Sequence, residues 1–391
     1  MRKFVSVIIV VITFLLISCV TEVNVDREQP HSLTISDGFI EPIGFYDPQP
    51  SFSWKLPVNP KVKSQSAYSI VVASRASLLP NRPDVWQSGK VMSDQSTFVP
   101  YEGKPFSSRQ TLYWQVKYWD QDKKASRWSD VTSFEMGLLS NSDWKGQWIG
   151  ITHQTPTLET RSKTPLFIPQ YLRKEFTLPA TASVKKARLY ITAKGLFEAQ
   201  LNGEKVGRDF MVPGWTPYNH RIETLTYDVI ELLQAGKNAL AIELASGWHS
   251  GRISRLTALY DNFLSPKILC QLEIEMKDGS KQTIVSDESW KGTTNGPIRL
   301  AGIYDGELYD ANFEIPKWNT AAFDDSNWEL VEVEAIAMDV KLAPKRHHTV
   351  KNQLVLTDVE MVSVNENSAV FNLKQNMVGV PKVKVPMKKG D

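Results

Sequence analysis

Between Ala187 and Leu244 apolar residues fall at every second position, in strand-length runs broken by turn residues, and this leaves few folds open. Leu189, Ile191 and Ala193 alternate with Arg188, Tyr190 and Thr192, the pattern of a strand with two different faces. Asn202-Gly203 follows, and these residue types suit a two-residue hairpin turn with both φ angles positive. Pro213-Gly214 marks a second break, ahead of Trp215. Asp228 to Gln234 predicts about two turns of helix, stopped by Gly236. Leu240, Ile242 and Leu244 predict another alternating strand, ending at Gly247-Trp248-His249-Ser250-Gly251-Arg252. An aromatic and a cation between glycines predict a loop that lets backbone approach a partner and displays an aromatic face.

The same grammar runs through the rest of the chain. From about Ser32, short strands are separated by turn residues: Phe52-Ser53-Trp54, Tyr68 to Val72, Trp86 to Val91, Leu112 to Asp120, Ser126 to Ser129, then Phe134-Glu135. Trp and Tyr on alternate positions at this spacing predict an immunoglobulin-like or fibronectin-like sandwich. Asp143-Trp144-Lys145-Gly146-Gln147-Trp148-Ile149 reads as the seam into a second domain, whose sandwich opens at Tyr171 to Phe176. Asp278-Gly279 turns a strand ending at Met276 back into Gln282 to Val285. In Trp318 to Trp328, Asp and Ser cap a tight turn while Phe and Trp pack inward. A third unit begins near Val350 and stops at Lys388-Lys389-Gly390-Asp391. A length of 391 residues allows two or three domains of this kind.

The first residues read as a targeting segment. Arg2 and Lys3 precede a nearly apolar run from Phe4 to Ile17, short of the ~20 residues a transmembrane helix needs. Leu16-Ile17-Ser18-Cys19 resembles a bacterial lipoprotein cleavage box. That implies lipidation at Cys19, export, and a membrane anchor on the periplasmic or cell-surface side, with residues 20–31 as a polar tether. An ordinary signal peptide containing a cysteine is the other reading. Cys270 then stands alone, in phase with Leu272 and Ile274. It predicts a buried apolar side chain and leaves no disulfide or Cys-based metal site in the mature chain. A net charge of +2 gives no nucleic-acid footprint. Twelve tryptophans suit sandwich cores and also sugar-stacking surfaces.

Taken in order, LNGEKVG, PGWTPYNHR, TYDVIELLQAGKNAL and GWHSGR resemble the N-terminal β-sandwich module of bacterial α-L-rhamnosidases, glycoside hydrolase family 78-like. Residues 318–328 resemble the closing strand-and-loop of galactose-binding-like jelly rolls, and 370–379 with 382–385 resemble the start of the family's next sandwich. The implied fold is all-β: a fibronectin type III-like sandwich over 32–140, a jelly-roll module over 141–345, and an incomplete concanavalin-like sandwich over 346–391, behind a signal peptide at 1–19. The family places its catalytic acids in an (α/α)-barrel after the sandwiches, so no catalytic residue is carried over to this chain. The resemblance implies the non-catalytic N-terminal part of a lipid-anchored enzyme that hydrolyses terminal α-L-rhamnosyl residues of glycans or glycosides, with its own barrel domain as partner. Two other readings stay open: a stand-alone surface carbohydrate-binding lipoprotein, and a structural spacer.

Two clusters are candidates for ligand contact. Trp248 can stack on a pyranose while His249 and Arg252 hydrogen-bond its hydroxyls; the alternative is that Trp248 packs under the loop and Arg252 pairs with a carboxylate. Trp215 and Tyr218 carry the same choice, with core packing the expectation. Tyr304, Asp305 and Glu307, with Asp310 near, could contact a sugar or calcium, a hard cation that wants several oxygen ligands. Otherwise they form a hairpin turn or an inter-domain contact. Some family members hold a calcium-dependent rhamnose-binding module of this type, with an acid and an amide near the strand before the LNG turn. Here that place is Lys194-Gly195, which cannot ligate calcium by side chain, so no rhamnose site of that kind is expected. His347-His348 has no third partner at metal-ligand spacing and predicts a solvated linker. No cofactor motif appears.

Overall fold

The computed structural model describes residues 28–151, 158–159, 165–179, 183–251, 264–365 and 368–384. Cys19 and Arg252 lie outside the described residues. The first sandwich pairs a three-stranded sheet, in the order His31–Ile35, Ser51–Lys55, Val99–Pro100, with a five-stranded one. The latter runs Ile43–Phe45, Thr132–Met136, Thr111–Asp120, Gln65–Ala73, Trp86–Gln87. The alternation in Thr111–Asp120 explains the contact between them. Leu112, Trp114 and Val116 point inward and are buried, and Trp114 meets Phe52 of the facing sheet at 4.6 Å between ring centroids. The Ser126 and Ser129 hydroxyls accept from the amides of Tyr118 and Val116, both at 3.1 Å, and bind the following segment to that strand.

The second sandwich stacks six strands on seven. The six-stranded sheet runs Glu204–Lys205, Leu196–Leu201, Gly236–Ala245, Gln170–Leu178, Lys291–Thr293, Glu329–Leu330. The seven-stranded one runs Glu332–Glu334, Trp148–Gly150, Lys267–Met276, Val184–Lys194, Arg221–Asp228, Lys341–Pro344, with Lys281–Val285 also on Lys267–Met276. Leu189, Ile191, Leu240, Ile242 and Leu244 fill the space between, as their alternation predicts. Asn202 (φ 55°) and Gly203 (φ 88°) form the expected hairpin turn, closing Leu201 on Glu204. Cys270 is fully buried beside Leu272 and Ile274, and burial pushes its thiol pKa up.

The expected helix after Asp228 is only a 3-10 turn, Ile230–Leu232. Two asparagines explain the difference. Asn202 Nδ2 donates to the Leu232 carbonyl at 2.9 Å, and Asn238 donates to the Gln234 carbonyl while accepting from its amide. The groups that would continue a helix are thus taken by side chains of neighbouring strands.

The two sandwiches meet over a common patch. Trp144, Trp148, Leu138, Tyr190, Ile222, Leu269 and Leu342 form a buried cluster at the seam. Arg188 and Lys186 both pair with the buried carboxylate of Glu135, each at 2.9 Å. His347-His348 is exposed to solvent, as expected, and also touches the first sandwich. His348 lies on Phe39 of the first sandwich at 4.6 Å, Arg346 lies over Tyr46 at 5.6 Å, and His347 Nε2 is 3.4 Å from Glu223. Lys345 behind them forms a buried pair with Glu223 at 2.9 Å. Beyond this segment, the hairpin Glu360–Asn365 with Ser368–Asn372 is exposed on both faces, including Val364, Val370 and Phe371.

Candidate functional site

Of the sequence-predicted sugar contacts, His249 is brought against Tyr218, which reaches back to the segment that carries Trp215. Gly247–Ser250 forms a single helical turn rather than an open loop. Gly247 lies so close to the next strand that a Cβ would meet Leu196 Cγ at 2.6 Å, which holds the turn against the sheet. His249 is thereby placed edge-on to Tyr218, 5.1 Å between centroids, and Tyr218 donates to the Gly214 carbonyl at 3.2 Å. Burial pushes the His249 pKa down to about 4, with Lys194 and Lys267 acting the same way and Glu334 against them. The imidazole is neutral at physiological pH.

Trp248 and His249 are partly buried in this arrangement, and Trp215 is the displayed aromatic at 56% exposure. That reverses the expectation that Trp215 serves the core. Ser246 Oγ and Thr216 Oγ1 are buried without a hydrogen-bond partner among the described residues. Lys194 is held by Glu334 at 2.6 Å and lies over the Trp148 ring at 4.9 Å, so its charge is already engaged. The exposed Trp215 indole can stack on a sugar ring, and a neutral imidazole can bond a hydroxyl.

The acidic motif forms a hairpin, Ile298–Gly302 with Gly306–Tyr309. Tyr304 is exposed and Asp305 sits in the turn, its amide donating to the Gly302 carbonyl at 3.2 Å. Asp310 caps the following turn, accepting from the Asn312 amide at 3.0 Å. Glu307 acts on a residue that the motif search missed, Glu243. In the six-stranded sheet Glu243 stands directly opposite Glu198 on one side and Tyr171 on the other. Burial, then the charges of Glu198 and Glu307, push the Glu243 pKa up to about 7, against Lys205 and a hydrogen bond from Gln200. The sequence held one hint: in Ala241-Ile242-Glu243-Leu244-Ala245 the acid shares its face with two alanines, a composition suited to a covered sheet face.

A concavity of about 510 Å³ lies along the seam between the sandwiches and is lined by Arg109, Lys145, Lys186, Arg188, Glu273 and Lys281 among others. Arg109, Lys186 and Arg188 are engaged in ion pairs across or beside it. Among the described residues no group of three or more His, Cys, Asp or Glu is placed to hold a metal ion.

Comparison with known proteins matches the two sandwiches separately. Residues 30–140 match the family described as Rha78A-like, N-terminal immunoglobulin domain, and 182–354 match the alpha-L-rhamnosidase N-terminal domain. An alpha-L-rhamnosidase of Formosa agariphila is 53% identical over 390 residues, covering 100% of this chain and 42% of its own length. One from an Alteromonas species is 43% identical over 376 residues, covering 96% and 40%. The chain thus spans well under half the length of these curated relatives. The solved alpha-L-rhamnosidase of Dictyoglumus thermophilum superposes with TM-score 0.79 at 32% identity, over 90% of this chain and 39% of that one. That of Streptomyces avermitilis, solved with L-rhamnose, gives 0.76 at 25% identity, over 89% and 49%.

Proposed function

We propose, from the premise that this chain belongs to the α-L-rhamnosidase family through its N-terminal β-sandwich domains, that it is the part of such an enzyme that holds and positions, while a further domain breaks the bond. The whole enzyme would remove terminal α-L-rhamnosyl residues from rhamnose-containing glycans or glycosides. The observation that carries this reading is the match itself, which runs along the whole chain yet over only 42% of the Formosa relative. The paired strands Glu360–Asn365 and Ser368–Asn372, which expose Val364, Val370 and Phe371, support it, because such a pair gains stability when further strands cover it.

Glycoside hydrolysis needs one protonated and one ionised carboxyl on either side of a sugar. Glu243 and Glu307 are near enough for one charge to act on the other, and Glu307 stands on an exposed strand rather than across a sugar-sized cleft. An assay of the purified chain on an aryl α-L-rhamnoside should give no turnover. Turnover abolished by Glu243→Gln or Glu307→Gln would overturn the positioning role.

Anchoring belongs to the same proposal: Cys19 is lipidated and tethers the enzyme to a membrane on its exported side. Metabolic labelling with a palmitate analogue should mark the protein and be lost in Cys19→Ser.

A second reading, direct carbohydrate binding by this chain, is favoured by the exposed indole of Trp215, three residues before Tyr218, whose ring meets His249. Titration calorimetry with rhamnosylated oligosaccharide should then show saturable binding, weakened by Trp215→Ala by about 1 kcal/mol. A flat trace sinks it.

A further inference from the structure

The outer face of the first sandwich gathers cations and indoles that neither its core nor the seam uses. In Thr111–Asp120, Leu112, Trp114 and Val116 point into the core, so Lys117 and Trp119 point outward. On the neighbouring strand Gln65–Ala73, Ser69 stands opposite Lys117 and Ala67 opposite Trp119. Residues 88–91 flank that strand on its other side, where Val91 and Tyr68 exchange backbone hydrogen bonds at 2.9 and 3.0 Å. Residues 126–129 flank Thr111–Asp120, the Ser126 and Ser129 amides donating to the Tyr118 and Val116 carbonyls, both at 2.9 Å. The seam lies at the strand's far end, where Thr111 meets Lys186 at 3.1 Å.

These four rows bring two ammonium groups onto two indoles. Lys90 Nζ lies 4.4 Å from the centre of the Trp119 ring, and Lys117 Nζ lies 5.0 Å from the same ring and 4.7 Å from that of Trp128. Lys90 reaches Trp119 over a neighbouring strand, a span of about 10 Å, because only the small side chains of Ala67 and Ser69 stand between. An indole face attracts a cation through its quadrupole but has no net charge to cancel it. Among the described residues neither ammonium forms an ion pair or a hydrogen bond, so two positive charges share one ring. Burial, then the charge of Lys90, hold the Lys117 pKa below its ordinary value. Lys90 is exposed, and Lys117, Trp119 and Trp128 are half-buried, which leaves the face open to a ligand.

We propose that this face binds an anionic polysaccharide, whose carboxylate or sulfate groups pair with Lys90 and Lys117 while its sugar rings lie along the open parts of the Trp119 and Trp128 indoles. Charge complementarity calls for an anion, and the indoles favour one carried on sugar rings, which offer apolar C–H surface to an aromatic. The site is on the other sandwich from Trp215, and it does not depend on the assignment of the chain to a larger enzyme.

Titration calorimetry of the purified chain at low, fixed salt tests it with polygalacturonate and with dextran sulfate, against neutral dextran and poly-L-glutamate. Saturable binding to at least one of the two anionic polysaccharides is expected, and the one bound identifies carboxylate or sulfate as the group recognised. The double variant Lys90→Gln/Lys117→Gln should weaken it by about 5-fold, and Lys341→Gln, an exposed lysine of the second sandwich, by less than about twofold. Should the double variant fail to fold, Lys90→Gln alone, at an exposed position, carries the comparison. Absence of binding to both polysaccharides, equal binding to poly-L-glutamate, or equal weakening by Lys341→Gln overturns the site.

Discussion

Arg109 holds Glu273 with two guanidinium nitrogens, Nε 2.9 Å from Oε2 and Nη2 2.8 Å from Oε1, across 164 residues of sequence and the seam between the sandwiches. Its remaining nitrogen, Nη1, reaches Asp143 at 2.9 Å. Such a fork is strong because it is charge-assisted and fixed in geometry, and here it joins a loop of the first sandwich to the outer face of the second.

Replacing Arg109 by alanine leaves the carboxylates of Glu273 and Asp143 partly buried without their guanidinium. The expected loss is about 2 kcal/mol in urea unfolding. The curve should also broaden as the two sandwiches begin to unfold separately, and Arg109→Lys should restore only part of the loss because an ammonium cannot bond bidentately.

Gly44 tests the seam by shape rather than charge. It has φ +76°, and a Cβ would lie 2.4 Å from Thr226 Oγ1 of the second sandwich. Gly44→Ala combines a left-handed backbone with a clash across the interface. It should cost on the order of 2 kcal/mol and lower the melting temperature by several degrees. An unchanged melting curve would mean that the two sandwiches do not touch there.

His249 sets a pH dependence of definite sign. Its pKa is about 4 in the folded chain against an ordinary 6.5, so below 6.5 the unfolded chain binds a proton that the folded one refuses. The stability it contributes is complete above that value and is lost as pH falls from 6.5 towards 4. Denaturant midpoints measured between about pH 7 and 4.5 should fall more steeply for the wild type than for His249→Phe.

Cys270 should resist alkylation. Its side chain is fully buried and its thiol is pushed up by that burial. Iodoacetamide followed by peptide mass spectrometry should leave Cys270 unmodified in the native protein and modify it in urea. Native labelling would place the strand Lys267–Met276 elsewhere than in the core.

Much of this molecule was readable before any contact was known. Alternation along Val184–Lys194 and Gly236–Ala245 identified strands and their buried faces, and Asn202-Gly203 identified the turn, because both signals are local and depend only on neighbours in the chain. The helix expected after Asp228 failed for a non-local reason, the asparagine side chains at 202 and 238 that satisfy its carbonyls. Trp215 was misplaced, since it stands outside the core, and the exposed His348 makes a ring contact with Phe39 that its neighbours in sequence do not foretell. Composition could not distinguish these cases, since the same ring suits a core, a surface or a seam.

What the amino-acid order determined by itself was the repertoire: β-strands, their inward faces, the hairpin turns and the family likeness, all carried by period and turn chemistry along short stretches. What only the folded chain decided was which charges became neighbours. Glu243 acquires an unusual proton affinity because the sheet buries it, pairing sets Glu198 opposite it, and a later hairpin adds the charge of Glu307. Electrostatic energies depend on distance and burial in three dimensions, and no reading along one dimension contains either.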